Sequence, residues 1–461
     1  MNIAIIKEKL PHITAVLLVV FILNLMKNEK DWTIENKTIS WDVISYYAYL
    51  PAVFIYHDCT LKFVETYKGP HKFVFWADPG PNNSKVIRTS MGLSIIYSPF
   101  FFIAHWYAST HGYDAGGYSV PYRVALLMSC VFIVLIGLFF FARLLLNFFN
   151  PYISSWLMIL IVLGTNLLYY CVYEAPVTHA YNFSLIIIFV YYTIKWYENP
   201  RVKTTIIIGL LAGLITLIRP VNCIVCLFFL LWDIKNFTDI KNRILLLSQK
   251  WWMLAIIAGM IFLVWLPQIV YWKIVTGQYL YYSYGDQGFF FLHPKIIKGL
   301  FSYRKGWLLY TPLMVLALAG IPLLWKKQKA FFYPVVIILA IHIYVVFSWW
   351  TWWYGGSMGS RPMIDLYGLL AIPMGYLFVS SLELKKVLRL ILIGLSVILL
   401  AIGLFHTDKY RHGSLHYDSM TKAAFWDSYF RRTPSHKFWS LLEQPDYDLA
   451  KKGIDATIQK K

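Results

Sequence analysis

Asp42 is the single carboxylate in the run Trp41-Asp42-Val43-Ile44-Ser45-Tyr46-Tyr47-Ala48-Tyr49-Leu50-Pro51-Ala52, which follows the first apolar segment of the chain. An acid beside a Tyr-rich helical stretch lying along a membrane surface is placed to take a proton from an acceptor of a lipid-borne substrate, so Asp42 is the candidate general base. The competing role is the N-cap of a helix starting near Val43, where a carboxylate accepts from free backbone N–H groups. Tyr46, Tyr47 and Tyr49 read first as interfacial anchors and second as rings that stack on a sugar.

Three further groupings carry chemistry. Gly164-Thr165-Asn166 and Tyr173-Glu174-Ala175-Pro176-Val177-Thr178-His179 stand at the ends of two apolar runs. Ionisable groups near lipid are costly, so Glu174 and His179 are candidate substrate contacts, with a hydrogen-bonded pair closing the turn as the alternative. A divalent metal held by these two and Asp42 is the weaker reading, because no H-x-x-H or D-x-D spacing supports it. Arg219, the pair Arg304-Lys305 and Arg361 are isolated cations at helix ends, each beside Gly, Pro or aromatic residues. One such arginine snorkels by default, but several together make a candidate phosphate site, since guanidinium groups bind phosphate bidentately. Tyr303 and the run Ser348-Trp349-Trp350-Thr351-Trp352-Trp353-Tyr354 add rings that form an interfacial belt or pack on sugar and isoprenoid.

These residues must be positioned by a membrane-embedded helical frame. Hydrophobic residues make up 59% of the 461 and charged residues 14%, which excludes an ordinary soluble chain. Apolar runs long enough to cross lie at 11–27, 121–147, 152–172, 177–196, 203–219, 221–234, 251–275, 307–325, 330–349, 363–382 and 386–406. They do not alternate, so the expected class is all-α and polytopic. The first run lacks a small-residue cleavage site and reads as a retained span. Lys/Arg clusters at 195–203, 235–250, 326–329 and 385–389 are separated by pairs of runs, which places all four in the cytoplasm.

That assignment predicts eleven spans with the N-terminus inside, provided the segment 90–109, which contains Ser94, Ser98, Pro99 and His105, does not cross. Residues 28–120 then form a first extracytoplasmic loop with interfacial helices, 276–306 a second, and 407–461 a small packed cap after a membrane domain over 1–406. The net charge of +19 fits anionic lipid and topology, with no nucleic-acid partner called for. Cys223 and Cys226 form a C-x-x-C inside an apolar run, without His or charged neighbours, and read as packing.

In their order along nearly the whole chain, these stretches resemble the GT-C superfamily of polyprenyl-phosphate-sugar-dependent glycosyltransferases, which includes protein O-mannosyltransferases and lipid A aminoarabinose transferases. The matching features are Asp42 with Ser45 to Leu50, Ser98-Pro99-Phe100-Phe101, Gly164-Thr165-Asn166, Gly213-Leu214 followed by Arg219-Pro220, Tyr303 to Trp307, and Trp353 to Ser357 with Arg361-Pro362. The resemblance implies a GT-C fold in a bacterial inner membrane and an inverting transfer outside the cytoplasm, with Asp42 as base. It further implies that basic residues hold the donor phosphate, for which Arg219, Arg304, Lys305 and Arg361 are the candidates, while Tyr46, Glu174, His179, Tyr303, Trp353 and Tyr354 are the candidate substrate contacts. Acceptors are a glycan, lipid or protein. Many members carry a second acid beside the first-loop Asp, whereas Trp41 and Val43 flank it here. The rivals are a lipid-linked glycan flippase, which would need polar residues along the span interiors, and a polymerase or ligase using a lipid-diphosphate donor.

Overall fold

The computed structural model describes residues 3–66 and 77–458. The part of the first loop over 67–76 lies outside the described residues. Apart from a two-stranded antiparallel hairpin, β1 (Asp78–Pro79) with β2 (Lys85–Val86), the described elements are helical. This is what long apolar runs require where no water is at hand to satisfy backbone groups.

In chain order, α1 (Ile3–Glu29) leads into short helices α2 (Asp42–Tyr47), α3 (Tyr49–Phe54) and α4 (Phe63–Thr66). The next are α5 (Gly92–Thr110), α6 (Val120–Leu146), α7 (Pro151–Leu163), α8 (Leu167–Val172), α9 (Thr178–Glu198), α10 (Val202–Ile218) and α11 (Cys223–Leu231). After α12 (Phe237–Gln249) and α13 (Trp251–Thr276) come α14 (Ile296–Phe301), α15 (Trp307–Tyr310), α16 (Met314–Lys327), α17 (Lys329–Val346), α18 (Tyr367–Ser381) and α19 (Lys386–Arg411). Three short helices, α20 (Lys422–Ser428), α21 (His436–Ser440) and α22 (Tyr447–Lys451), form the C-terminal part.

Six of the described helices are long and apolar enough to cross a membrane: α1, α6, α13, α17, α18 with its leading 3-10 turn, and α19. The protein is therefore a multi-pass membrane protein by length and composition. Several expected runs are broken by chemistry legible in the sequence. The run 152–172 is split into α7 and α8 at Gly164-Thr165-Asn166, and 307–325 into α15 and α16 at Thr311-Pro312. Pro220 opens a 3-10 turn after Arg219, and Pro362 is the second residue of another that begins at Arg361, because proline has no N–H to lose at a helix start. Helix α5 is continuous over 19 residues but falls short of the apolarity of the six. Its Leu93, Tyr97, Phe101 and Ala104 are buried, while Phe102, Ile103 and Trp106 face outward.

The basic loops meet at one end of the bundle. Tyr197 donates to the Phe229 carbonyl at 2.8 Å, and Arg243 sits over the Tyr197 ring while donating to the Leu230 carbonyl at 3.0 Å. Trp232 packs edge-on to Phe331, and Lys327 pairs with Glu383 at 2.6 Å. The exposed amphipathic helix α12, with Phe237, Ile244 and Leu245 on its surface, lies at the same end. The C-terminal part has its own core of Leu415, Phe425, Phe438 and Leu442 packed on Tyr310.

Helix α19 approaches the Gly164 corner so closely that a Cβ on Gly403 would stand 2.3 Å from the Gly164 carbonyl oxygen. Small residues permit such contacts inside a membrane bundle. Gly403→Ala should lower the thermal midpoint in detergent, at a cost of about 1–3 kcal/mol from forced separation. On the same helix, a methyl group added at Gly394 would meet no atom within 4 Å, so Gly394→Ala should leave the midpoint unchanged or raise it.

Candidate functional site

The site is built on the segment from Tyr354 to Leu366. Tyr354 (φ 56°) and Gly355 (φ 61°) are both left-handed, which turns the chain back on itself after the tryptophan run. A non-glycine residue held there is strained, and its surroundings must compensate. Three side chains pin the loop. The Asn166 amide donates to the Met358 carbonyl at 3.0 Å, the Met358 N–H donates to the Tyr170 hydroxyl at 3.0 Å, and the Lys305 ammonium donates to the Ser357 carbonyl. Asn166 also accepts from Tyr367 at 2.8 Å, which explains why the α7–α8 break carries an asparagine.

One turn further on, Asp365 is fully buried. Its carboxylate meets Arg219 Nη1 at 2.9 Å, the Asn222 amide at 2.8 Å and His179 Nδ1 at 3.3 Å. A buried carboxylate is tolerated only when charge and hydrogen bonds surround it. The Arg219 guanidinium stands 6.0 Å from the Tyr354 ring centre and 3.3 Å from His179 Nδ1. Asp365 carries no signal of motif or spacing. What marks it is its position: an acid in the apolar stretch Met363-Ile364-Asp365-Leu366, where ionisable groups are rarely idle.

Arg361, which opens the same 3-10 turn, reaches the Asp42 carboxylate at 3.1 Å between Nη2 and Oδ2. Residues hundreds of positions apart thus share one centre. The Asp42 side chain is 48% exposed and that of Arg361 16%, so the pair is open to an incoming molecule from the aspartate side. The capping role does not hold. Asp42 is the first residue of α2, whose N-cap position is Trp41, and no side chain caps the helix. Trp41 itself has φ 47°, a second strained residue beside the site.

Around this pair, Tyr46 lies one turn along α2, in the field of Asp42, Arg361 and Arg219. Tyr284, from the long loop 277–295, stands in the field of Asp42, Arg219 and Arg88, and burial pushes its hydroxyl pKa up to about 12. Glu174 accepts from Tyr169 at 3.3 Å and adds negative charge near Arg361 and Asp42. Desolvation raises the Glu174 pKa above the ordinary carboxylate range, with Arg361 pulling the other way. Burial holds the Lys305 ammonium well below the usual lysine range, partly offset by Asp418, while Arg361 depresses it further.

Some expected site residues stand elsewhere. Tyr47 and Tyr49 are not interfacial anchors: both are buried and donate to backbone carbonyls, Tyr47 to Gly117 at 2.5 Å and Tyr49 to Thr89 at 2.6 Å. Trp352 and Trp353 form no exposed belt, because α22 covers them through Tyr447 and Ala450. Arg304 turns away from Asp42 and stands 5.3 Å from the Trp353 ring centre, 3.9 Å from Asp455. Tyr303 packs edge-on against Phe425 of the C-terminal part. Arg219 is paired with Asp365, and His179 lies beside that pair and not beside Glu174. Among the described residues no three His, Cys, Asp or Glu side chains gather as a metal site would require. No protein-family model matches the chain, and no curated protein matches it.

Two outcomes follow from this geometry. Asp365→Asn should destabilise the protein by roughly 3–5 kcal/mol, because Arg219 would be left with an uncompensated charge. In a double-mutant cycle with Arg219→Met, read by chemical or thermal unfolding, the two losses should fall well short of additive. Glu174, with its pKa raised in the fold, favours the folded state while protonated, and that contribution disappears as pH rises through the raised value. Glu174→Gln should therefore flatten the decline of thermal midpoint with rising pH above the ordinary glutamate range; an unchanged pH profile would show that Glu174 titrates normally.

Proposed function

We propose that the protein is an integral membrane glycosyltransferase of the GT-C type, moving a sugar from a polyprenyl-phosphate donor to a glycan, lipid or protein hydroxyl on the outer face of a bacterial inner membrane. The observation that carries this reading is the 3.1 Å contact between Asp42 and Arg361, an acid and a guanidinium of the kind that binds phosphate, brought to one half-open centre from segments hundreds of positions apart. Support for the topology comes from the basic loops gathered at the other end of the bundle, which under the positive-inside rule is the cytoplasmic end. In this reading eleven segments cross, 90–109 lies in or along the outer interface, and the C-terminal part is an extracytoplasmic cap.

The chemistry begins with an exchange of partners. In the resting arrangement the Asp42 carboxylate is engaged by Arg361. A donor phosphate entering beside Arg361 offers a competing anion and bidentate geometry, which frees the Asp42 carboxylate to face the acceptor. The acceptor oxygen then attacks the anomeric carbon, its proton passes to Asp42, and the bond from that carbon to the phosphate oxygen breaks with its electron pair. The phosphate leaves with one more negative charge than it had in the donor, and Arg361 meets that charge as it develops. Attack from the side opposite the leaving phosphate inverts the configuration. Lys305 contributes by latching the loop that carries Arg361, and Arg219 by holding the same loop through Asp365.

In nanodiscs supplied with a radiolabelled polyprenyl-phosphate sugar, Asp42→Asn should lower the transfer rate by about 10²–10⁴-fold while retaining donor. Arg361→Ala should weaken donor binding more than acceptor binding. A wild-type rate in Asp42→Asn would reduce Asp42 to a counter-ion of Arg361 and remove the proposal.

A further inference from the structure

Helix α12 carries a face that nothing else in the fold covers. None of its 13 residues is buried, and two contacts fix which way it rolls. Arg243 lies 3.9 Å from the Tyr197 ring centre and donates to the Phe229 carbonyl at 3.3 Å and the Leu230 carbonyl at 3.0 Å, at the C-terminal end of α11. Leu246 and Leu247 pack against the bundle. The helix is thereby laid across the end of α11. Away from these contacts Phe237, Ile240 and Ile244 follow one another at three- and four-residue spacing, with Leu245 beside them, and all four are exposed, Phe237 to 87%.

What borders this face identifies what covers it. The helix ends at Trp251 and Trp252, both exposed at the start of α13, which is long and apolar enough to cross the membrane and is mostly uncovered by protein. Tryptophan at the end of a span marks the boundary between acyl chains and headgroups, so α12 joins the span at the bilayer surface. The charges around it are unbalanced. Asp233 pairs with Lys235 at 2.7 Å, Glu198 with Lys195 at 2.8 Å, and Asp239 accepts from the Lys235 and Asn236 N–H groups at 2.8 and 3.1 Å. Lys203, Lys241 and Lys250 have no acid partner among the described residues. Lys241 is one turn from both Phe237 and Leu245. Helix α10 packs closely along α13, Gly209 against Ile257 and Gly213 against Val264, which brings Lys203 to the level of Trp251. Apolar side chains flanked by unmatched lysines fit a surface that is apolar beneath and anionic above.

We propose that α12 lies in the headgroup layer at the basic end of the bundle and binds anionic phospholipid there, its apolar face reaching the acyl chains while Lys203, Lys241 and Lys250 meet lipid phosphates. This stands whatever reaction the Asp42 centre performs. The test is hydrogen exchange of the full chain in nanodiscs of phosphatidylcholine carrying increasing fractions of phosphatidylglycerol, read on the amides of 237–249. Exchange there should slow as phosphatidylglycerol is added, and high salt, which screens exposed charges, should abolish the added protection. Lys241→Gln should raise the phosphatidylglycerol fraction needed for half the effect by about two- to fivefold, the worth of one cation near an anionic surface. Ile244→Ser should speed exchange in both lipids. All the substituted side chains are exposed, so thermal midpoints in detergent should match that of the unaltered chain. Equal exchange in the two lipids, or protection by phosphatidylglycerol that survives a Lys203→Gln, Lys241→Gln, Lys250→Gln triple variant, would overturn the proposal. So would an α12 that stays unprotected in both bilayers until soluble protein is added, which would make the face a protein-docking surface.

Discussion

A carboxylate without access to water must be matched by opposite charge and hydrogen bonds, and Asp365 imposes that demand at the centre of this protein. Meeting it draws together Arg219 from the end of α10, Asn222 from the turn that follows, and His179 from the start of α9. Breaking any of these contacts would expose the others to an uncompensated charge, so the 3-10 turn bearing Asp365 has little freedom to move. Arg361 sits on the same turn, and its placement opposite Asp42 follows from the same constraint.

The rest of the loop is held by a different set of forces. Asn166, Tyr170 and Lys305 satisfy backbone groups between Ser357 and Met358, which would otherwise be stranded away from solvent. Left-handed backbone at Trp41 and Tyr354 lies beside the two halves of the centre, and such strain persists only where surrounding contacts outweigh it. An interior pair of charges and a set of backbone hydrogen bonds thus fix the orientation, leaving Asp42 half exposed. Behind this centre the C-terminal cap packs Phe425 and Phe438 on Tyr310 and closes one wall of a second polar cleft.

Much of this is legible in the residues alone. The class of protein follows from the apolar runs, the helix breaks from Gly164, Pro220 and Pro362, and Asp42 and Arg361 stand out because an acid and a cation at the ends of apolar segments are costly to keep there. The tyrosines are harder. Tyr46, Tyr47 and Tyr49 look alike in sequence, yet Tyr46 faces the charged centre, its neighbour Tyr47 on α2 turns into packing, and Tyr49, which opens the separate helix α3, is buried as well. Arg304 and Lys305 cannot be told apart for the same reason, since adjacent side chains on a tight turn point in divergent directions.

Composition and hydropathy by themselves determined that this chain is helical and embedded in a membrane, because those properties are summed along the chain and do not depend on which segment meets which. Only the tertiary structure decided the pairings: that Arg219 answers Asp365, that Arg361 answers Asp42, and that Arg304 belongs to the cap. A charge interaction depends on distance and on the dielectric between the partners, and neither quantity exists for residues hundreds of positions apart until the chain has folded.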